Sequence, residues 1–307
     1  MATTNNLTTT YAGQFAGKYV SAALLSGKTL SEGNITIKPN IKFKEVMKKV
    51  STDDIVKDAS CDFDATSTLT LTERILTPEE FQVNLQLCKK DFRSDWDAIS
   101  MGYSAFDNLP PSFSDFLIAH VADKVAQRME NNIWSGTNAN AGQFDGFTTT
   151  LTADADVVDV AAGAVTSGNV ITELGKIADA IPSAVYGSED LFVYVSNNIY
   201  RAYVRALGGF ATNVGAAGTD AKGTQWFNGG ALTFDGINIV MASGLANNTA
   251  VAAEKSNLFF GTGLMSDQNE VKVIDMADID GSQNVRVVMR FTAGIQHAIG
   301  SDIVLYS

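Results

Sequence analysis

SFSDFLIAHVADKVAQRMENNIW (residues 112–134), running into Ser135-Gly136 and then GQFDGF (residues 142–147), is the stretch whose reading decides the fold. Phe113, Leu117, Val121, Val125, Met129 and Ile133 recur at every fourth position, which lays one apolar stripe along a helical face. Asp115, Asp123, Lys124, Gln127, Arg128 and Glu130 fall between them. Pro110-Pro111 blocks helix upstream, Ser112 or Ser114 can accept hydrogen bonds from the first free amides, and Gly136 suits a left-handed stop. At roughly 1.5 Å per residue this rod is about 33 Å long. Taken alone the stripe describes an ordinary core helix, so its meaning depends on what surrounds it.

The 307 residues are 45% hydrophobic and 18% charged, the balance of a globular protein with a large core, in one elaborated domain or two. Lys and Arg number 22 against 34 Asp and Glu, a net charge of −12 that argues against a nucleic-acid-binding surface. No early segment combines a basic start, an apolar run and a cleavage site, and no run of 18 apolar residues occurs. The expectation is a soluble protein made in a cytoplasm. Cys61 and Cys88 lie outside any paired metal spacing and are expected to be buried thiols.

Residues 1–10 hold five Thr and two Asn and almost nothing apolar. Ordering a backbone costs about 1–2 kcal/mol per residue, so this arm needs support from outside the compact body, most simply from a neighbouring subunit. A short helix is expected between Tyr11 and Leu25. From Asn34 the period changes to two, with Ile35, Ile37, Ile41 and Phe43 alternating against Thr36, Lys38, Lys42 and Lys44, as in a strand with one wet face. Two further strand-like runs, Thr68–Leu76 and Phe81–Cys88, flank Thr77-Pro78-Glu79-Glu80. The whole of Lys38–Asp91 therefore reads as a long extended excursion, too thin to be a domain of its own.

After the long helix, Val170, Leu174, Ile177 and Ile181 mark a second helix stopped by Pro182. Leu191-Phe192-Val193-Tyr194-Val195 is a continuous apolar strand expected to be buried on both faces. Ser196 opens a helix over Asn197–Leu207, residues 208–230 form a Gly-rich loop, and Asp235-Gly236 supplies a tight hairpin turn. Residues 165–256 thus form an α/β unit. The remainder alternates as strands: Leu258–Gly261, Val271–Met276, Asn284–Phe291 and Ile303–Tyr306.

Candidates for chemistry are few. His120, within the long helix, and His297, near the last strand, are the only histidines, and both read as structural. Gly261-Thr262-Gly263 lacks the third glycine of a dinucleotide fingerprint and the Lys of a phosphate loop, so it is a turn. Asp275, Asp278, Asp280 and Gly281 lack the alternate-position ligands and closing Glu of a calcium loop. No catalytic, cofactor-binding or metal-binding residue emerges. The remaining anomaly is charge segregation: Lys38, Lys42, Lys44, Lys48 and Lys49 precede residue 50, whereas Asp53, Asp54, Asp58, Asp62 and Asp64 follow it. In a monomer these are solvated strand faces. In a repeating assembly the basic part of one copy can meet the acidic part of the next and fix its orientation.

The order of these elements, with the corner Asn131-Asn132-Ile133-Trp134-Ser135-Gly136 followed by Gly142-Gln143-Phe144-Asp145-Gly146, resembles the major capsid proteins of tailed bacteriophages, the HK-ninety-seven-type fold shared with encapsulins. The resemblance covers nearly the whole chain as an order of elements, and the corner is its specific part. It implies an α+β fold with an N-terminal arm (1–37), an extended β-loop (38–90) and a spine helix (112–134). A peripheral domain would comprise 91–164 with 257–300, and an axial domain 165–256 with 301–307.

The resemblance further implies a non-enzymatic structural protein of the virion, made and assembled in the host bacterial cytoplasm. It would self-assemble into the pentamers and hexamers of an icosahedral shell enclosing double-stranded DNA, without sequence-specific binding. Its partners would be other copies of itself, the portal, and possible scaffolding or decoration proteins, with no membrane and no cofactor. Arms and extended loops of the family lie across neighbouring subunits, and negative charge suits a container whose DNA must slide. With the excursion beginning about 37 residues from Met1, no room is expected for a removable scaffolding segment. Lys-Asn cross-linking partners, known in some members, are not placed by any local motif here. The alternatives are an encapsulin-type compartment, another virion protein such as a tail tube, and an enzyme built on residues 165–256.

Overall fold

A computed structural model describes residues 28–52, 68–92, 111–207, 232–263 and 272–307, with single positions at Val56, Asp58, Ala59, Cys61 and Ala65. Residues 1–27 of the arm, the expected helix between Tyr11 and Leu25, the Gly-rich loop and residues 93–110 lie outside these residues. The described α-helices are α1 (Lys28–Ser31), α2 (Lys89–Phe92), α3 (Pro111–Ser135), α4 (Phe147–Thr152), α5 (Val170–Ala180), α6 (Asn197–Leu207) and α7 (Ala277–Asp280). The strands are β1 (Thr36–Lys38), β2 (Glu45–Thr52), β3 (Leu69–Leu76), β4 (Glu79–Cys88), β5 (Val158–Val160), β6 (Leu191–Val195) and β7 (Leu232–Phe234). They continue with β8 (Ile237–Met241), β9 (Ala250–Glu254), β10 (Leu258–Gly261), β11 (Lys272–Asp275), β12 (Asn284–His297) and β13 (Val304–Tyr306).

The chain divides into two compact units. Among the described residues, one holds Glu80–Met129 with Gly263–Thr292, and the other holds Gly27–Glu79, Glu130–Thr262 and Ala293–Ser307. In the first unit α3 begins at Pro111, where a missing amide hydrogen costs nothing because the first turn has no intrahelical acceptor for it. Leu117 and Val121 on its stripe are buried with Val287, and Val83, Leu87, Val125 and Val273 close around them. β11 pairs antiparallel with the start of β12, Val273 opposite Val287, and β4 also pairs with β12. Lys89 is buried and ion-paired with Asp275, whose other oxygen accepts from the Ala277 amide. Asp280 accepts from the Ser282 amide, and Gly281, at φ 71°, ends α7. These carboxylates are used in turns and an ion pair.

The second unit is built on a six-stranded mixed sheet in the order β5-β13-β9-β6-β8-β7. β6 runs parallel to β8 and antiparallel to β9. Alternate residues point to opposite faces. Leu191, Val193 and Val195 join Ala252, Val304 and Tyr306 on the face covered by Leu174 and Ile177 of α5 and Ile199 and Tyr203 of α6. Tyr194 points the other way, so β6 is covered on both faces, as its unbroken apolar run requires. The β7–β8 turn places Asp235 at φ 48° and Gly236 at φ 82°, the pair of positive angles that a two-residue hairpin needs.

The structure corrects two expectations and supplies one strand pairing that the sequence leaves open. The alternation from Ile35 to Phe43 does not make one strand: β1 stops at Lys38, and Pro39 followed by Asn40 at φ 64° turns the chain. The run 69–76 pairs with 45–52 rather than with its neighbour in sequence, Val46 lying opposite Ile75 and Thr52 opposite Leu69. Cys61 is exposed, and Cys88 is half-buried, because the segment around residue 61 carries too little apolar sequence to bury a thiol. Leu174 is only 3% exposed in the core of the second unit, so Leu174→Ala should lower stability by about 2–5 kcal/mol, measured by urea unfolding.

Candidate assembly surface

The corner at the end of α3 is a close backbone crossing. Gly136 donates to the Asn132 carbonyl (3.1 Å), and its own carbonyl accepts from the Gly146 amide (2.9 Å) and the Thr149 hydroxyl (2.7 Å). A Cβ on Gly146 would sit 2.6 Å from the Asn132 carbonyl oxygen and 2.6 Å from the Gly136 amide nitrogen. One on Gly136 would collide with the Phe144 carbonyl. Gly136 is therefore required for space, and the positive φ of the corner belongs to Gly142, at 73°. Trp134 is fully buried, its ring 5.5 Å from Phe147 and 5.0 Å from Tyr194, while its indole N–H donates to Thr29 Oγ1 at 2.8 Å.

Thr29 also donates its amide (3.1 Å) and its hydroxyl (2.5 Å) to the buried carboxylate of Glu130. Burial pushes the Glu130 carboxyl above its ordinary range, partly offset by these hydrogen bonds. This small network ties the first described residues of the chain to α3.

The hairpin β2–β3 departs most from an ordinary globular surface. Its root is anchored: Leu76 is fully buried beside Gly261, and the Ile75 carbonyl accepts from Gln296 Nε2 (3.2 Å). Arg74 Nη2 meets Asp154 Oδ2 at 2.5 Å, and the same oxygen accepts from His297 Nε2 at 2.8 Å. Burial alone would raise the Asp154 carboxyl, but hydrogen bonds from His297, the Asp156 amide and Arg74 outweigh it and hold the group low. Burial holds His297 below its ordinary range, against the pull of Asp154. The geometry explains this: with Nε2–H on the carboxylate, a proton on Nδ1 would be buried without an acceptor among the described residues. His297 is thus a neutral strut.

Beyond the root the hairpin is bare. Its pairing puts Val46 with Ile75, Lys48 with Glu73 and Val50 with Leu71 on one face, and all six side chains are exposed. Leu71 is 64% and Val50 57% exposed. A monomer gains nothing from an uncovered apolar row on a two-stranded ribbon. The sequence signal was present in the alternation of Val46, Lys48, Val50 and of Leu71, Glu73, Ile75, but it does not say whether the apolar face is covered.

The segregated charges do not share one face. Lys38 is half-buried, paired with Glu45 and 4.8 Å from the Phe259 ring centroid. Lys42 and Lys44 are exposed between β1 and β2, Lys44 lying 5.5 Å from the Phe43 ring. Lys48 is exposed opposite Glu73, whereas its neighbour Lys49 points to the other face opposite Thr72. Asp58 is exposed, and Asp53, Asp54, Asp62 and Asp64 lie outside the described residues.

The architecture is that of phage capsid proteins. The chain superposes on a chain of the capsid of a native GTA particle with a TM-score of 0.64 and 11% identity, over 96% of this chain and 94% of that one. It superposes on Gordonia phage Cozz at TM-score 0.63 and 11% identity over 97% and 91%, and on the capsid of the myovirus phage XM1 at 0.58 and 11% over 95% of each. The fold is therefore the HK-ninety-seven-type α+β capsid fold expected from the corner and the element order. No family model matches the sequence, and a search of curated proteins finds no match.

Two outcomes check the corner. Gly146→Ala should cost about 1–3 kcal/mol or more through enforced backbone displacement, read from the shift in unfolding midpoint. For Glu130, a folded-state pKa above the unfolded one means that ionisation disfavours the fold: stability is fullest below the unfolded value near 4.5 and falls as pH rises through the folded value. Glu130→Gln should accordingly gain on the wild type as pH rises above that point; a stability difference flat with pH would contradict the assignment.

Proposed function

We propose that this chain is the major capsid protein of a tailed bacteriophage, which self-assembles into pentamers and hexamers of an icosahedral shell around double-stranded DNA. The observation that carries the reading is the fold likeness, which runs along nearly the full length of this chain and of the capsid chains it matches. The bare hairpin gives that likeness a physical use. Apolar area left in water contributes roughly 25 cal/mol per Å² once covered, and a second copy of the chain is the cover that a shell supplies.

On this reading residues 1–37 are the arm and 38–90 the extended loop. Residues 91–164 with 257–300 form the peripheral domain, and 165–256 with 301–307 the axial domain. Lys38, Lys42, Lys44, Lys48 and Lys49 would face the acidic run Asp53, Asp54, Asp58, Asp62 and Asp64 of a neighbouring copy, orienting it more than holding it. The role is structural rather than catalytic. The portal, scaffolding or decoration proteins and the packaged DNA would be its partners, and assembly would take place in the host bacterial cytoplasm.

Electron microscopy of the purified protein, with copurifying nucleic acid assayed, is the direct test. Closed shells are expected, and persistent monomers at high concentration would sink the reading. Shells holding a docked protein cargo in place of DNA would point to an encapsulin. The quadruple reversal K42E/K44E/K48E/K49E should reduce shell yield while leaving the subunit folded by circular dichroism. Normal shells from that variant would remove these lysines from the interface.

A further inference from the structure

We infer that α6 carries a basic groove that receives an acidic corner of the same α/β unit in a neighbouring copy, so that successive copies meet head to tail; this rests on the shell reading above. Arg201 and Arg205 stand one turn apart on α6, and both are exposed. They border a groove of about 540 Å³ whose other polar walls are Thr166, Ser167, Asn197, Asn198 and Asn247. No carboxylate lines it, and neither arginine has an ion-pair partner among the described residues. In a chain with 34 acidic and 22 basic residues, two neighbouring guanidinium groups without a carboxylate are a local inversion of charge. Planar guanidinium groups suit carboxylates, which they can bind through two parallel hydrogen bonds.

The complementary surface lies on the same unit. Glu189 and Asp190, both exposed, lead directly into β6, and Asp235 is exposed in the β7–β8 turn. Because Phe192 lies opposite Asn238 in the parallel β6–β8 pair, Asp190 and the Asp235-Gly236 turn come at the same end of adjacent strands. These carboxylates also make no ion pair among the described residues.

Among the described residues one unit therefore displays a basic and an acidic surface that make no ion pairs, the acidic one before the starts of β6 and β8 and the groove taking Asn197 and Asn247 from beyond their ends. Contacts between unlike patches are heterologous, and a heterologous contact closes into a ring when the rotation fits. Exposed charge pairs set orientation and suppress wrong pairings more than they add affinity. The groove would then choose the rotation at which copies join. A nucleic-acid phosphate is the disfavoured occupant, since a polyanion approaches a subunit of net charge −12.

Charge reversal with rescue tests this in the full chain. R201E/R205E and E189K/D190K should each fold as the wild type by circular dichroism, yet lose about ten-fold or more of their rings and shells by sedimentation and microscopy. The combined variant R201E/R205E/E189K/D190K should regain them, and R201K/R205K should keep them. R201Q/R205Q serves where a reversal fails to fold, and its expected result is the same loss. Normal assembly of either double variant or of R201Q/R205Q, or no recovery in the combined variant, overturns the proposal. So do normal R201E/R205E shells that lack DNA, which would assign the groove to phosphate. A wild type that stays monomeric overturns this inference together with the shell reading, whereas wild-type shells indifferent to these changes overturn this inference alone.

Discussion

The backbone crossing at Gly136 and Gly146 is the constraint on which the second unit depends. Two chain segments pass so closely that neither glycine has room for a single carbon, and this closeness lets Trp134 reach Phe147 and Tyr194. Tyr194 stands on the central strand of the mixed sheet and donates to the Asn34 carbonyl at 2.5 Å. Trp134 in turn holds Thr29, which holds Glu130. One corner thus connects the end of the long helix, the sheet and the chain entering β1, all through contacts that a single added methyl would force apart.

The long helix, the strand at 191–195, the helix at 197–207 and the Asp235-Gly236 turn were legible because each rests on local rules: period, capping residues and a turn that demands two positive φ angles. Pairing between distant segments was not legible. Residues 69–76 have an apolar alternation that fits either neighbour, and only the tertiary structure sets them against 45–52. Similarly, Pro39 and Asn40 break an alternation that looks continuous when only hydropathy is read.

The candidate surface shows the same division. The clustering of lysines is visible in sequence, but a strand sends adjacent residues to opposite faces, so the sequence alone does not show that Lys48 and Lys49 present their charges on opposite sides of the hairpin. The root of the hairpin was invisible, because Arg74, Asp154 and His297 are far apart in the chain and meet only in three dimensions. Burial of His297 with one nitrogen unmatched among the described residues is a detail of packing, and no motif announces it.

The sheet of the second unit has a consequence for the timing of folding. β13, at residues 304–306, lies between β5 and β9, and every other strand of that sheet comes earlier in the chain. Until those three residues have been synthesised, β5 has no neighbour to pair with and β9 has one open edge. A nascent chain can therefore form its helices and hairpins early but cannot finish this core. The chain's own topology thus leaves this sheet unfinished until synthesis has passed residue 306.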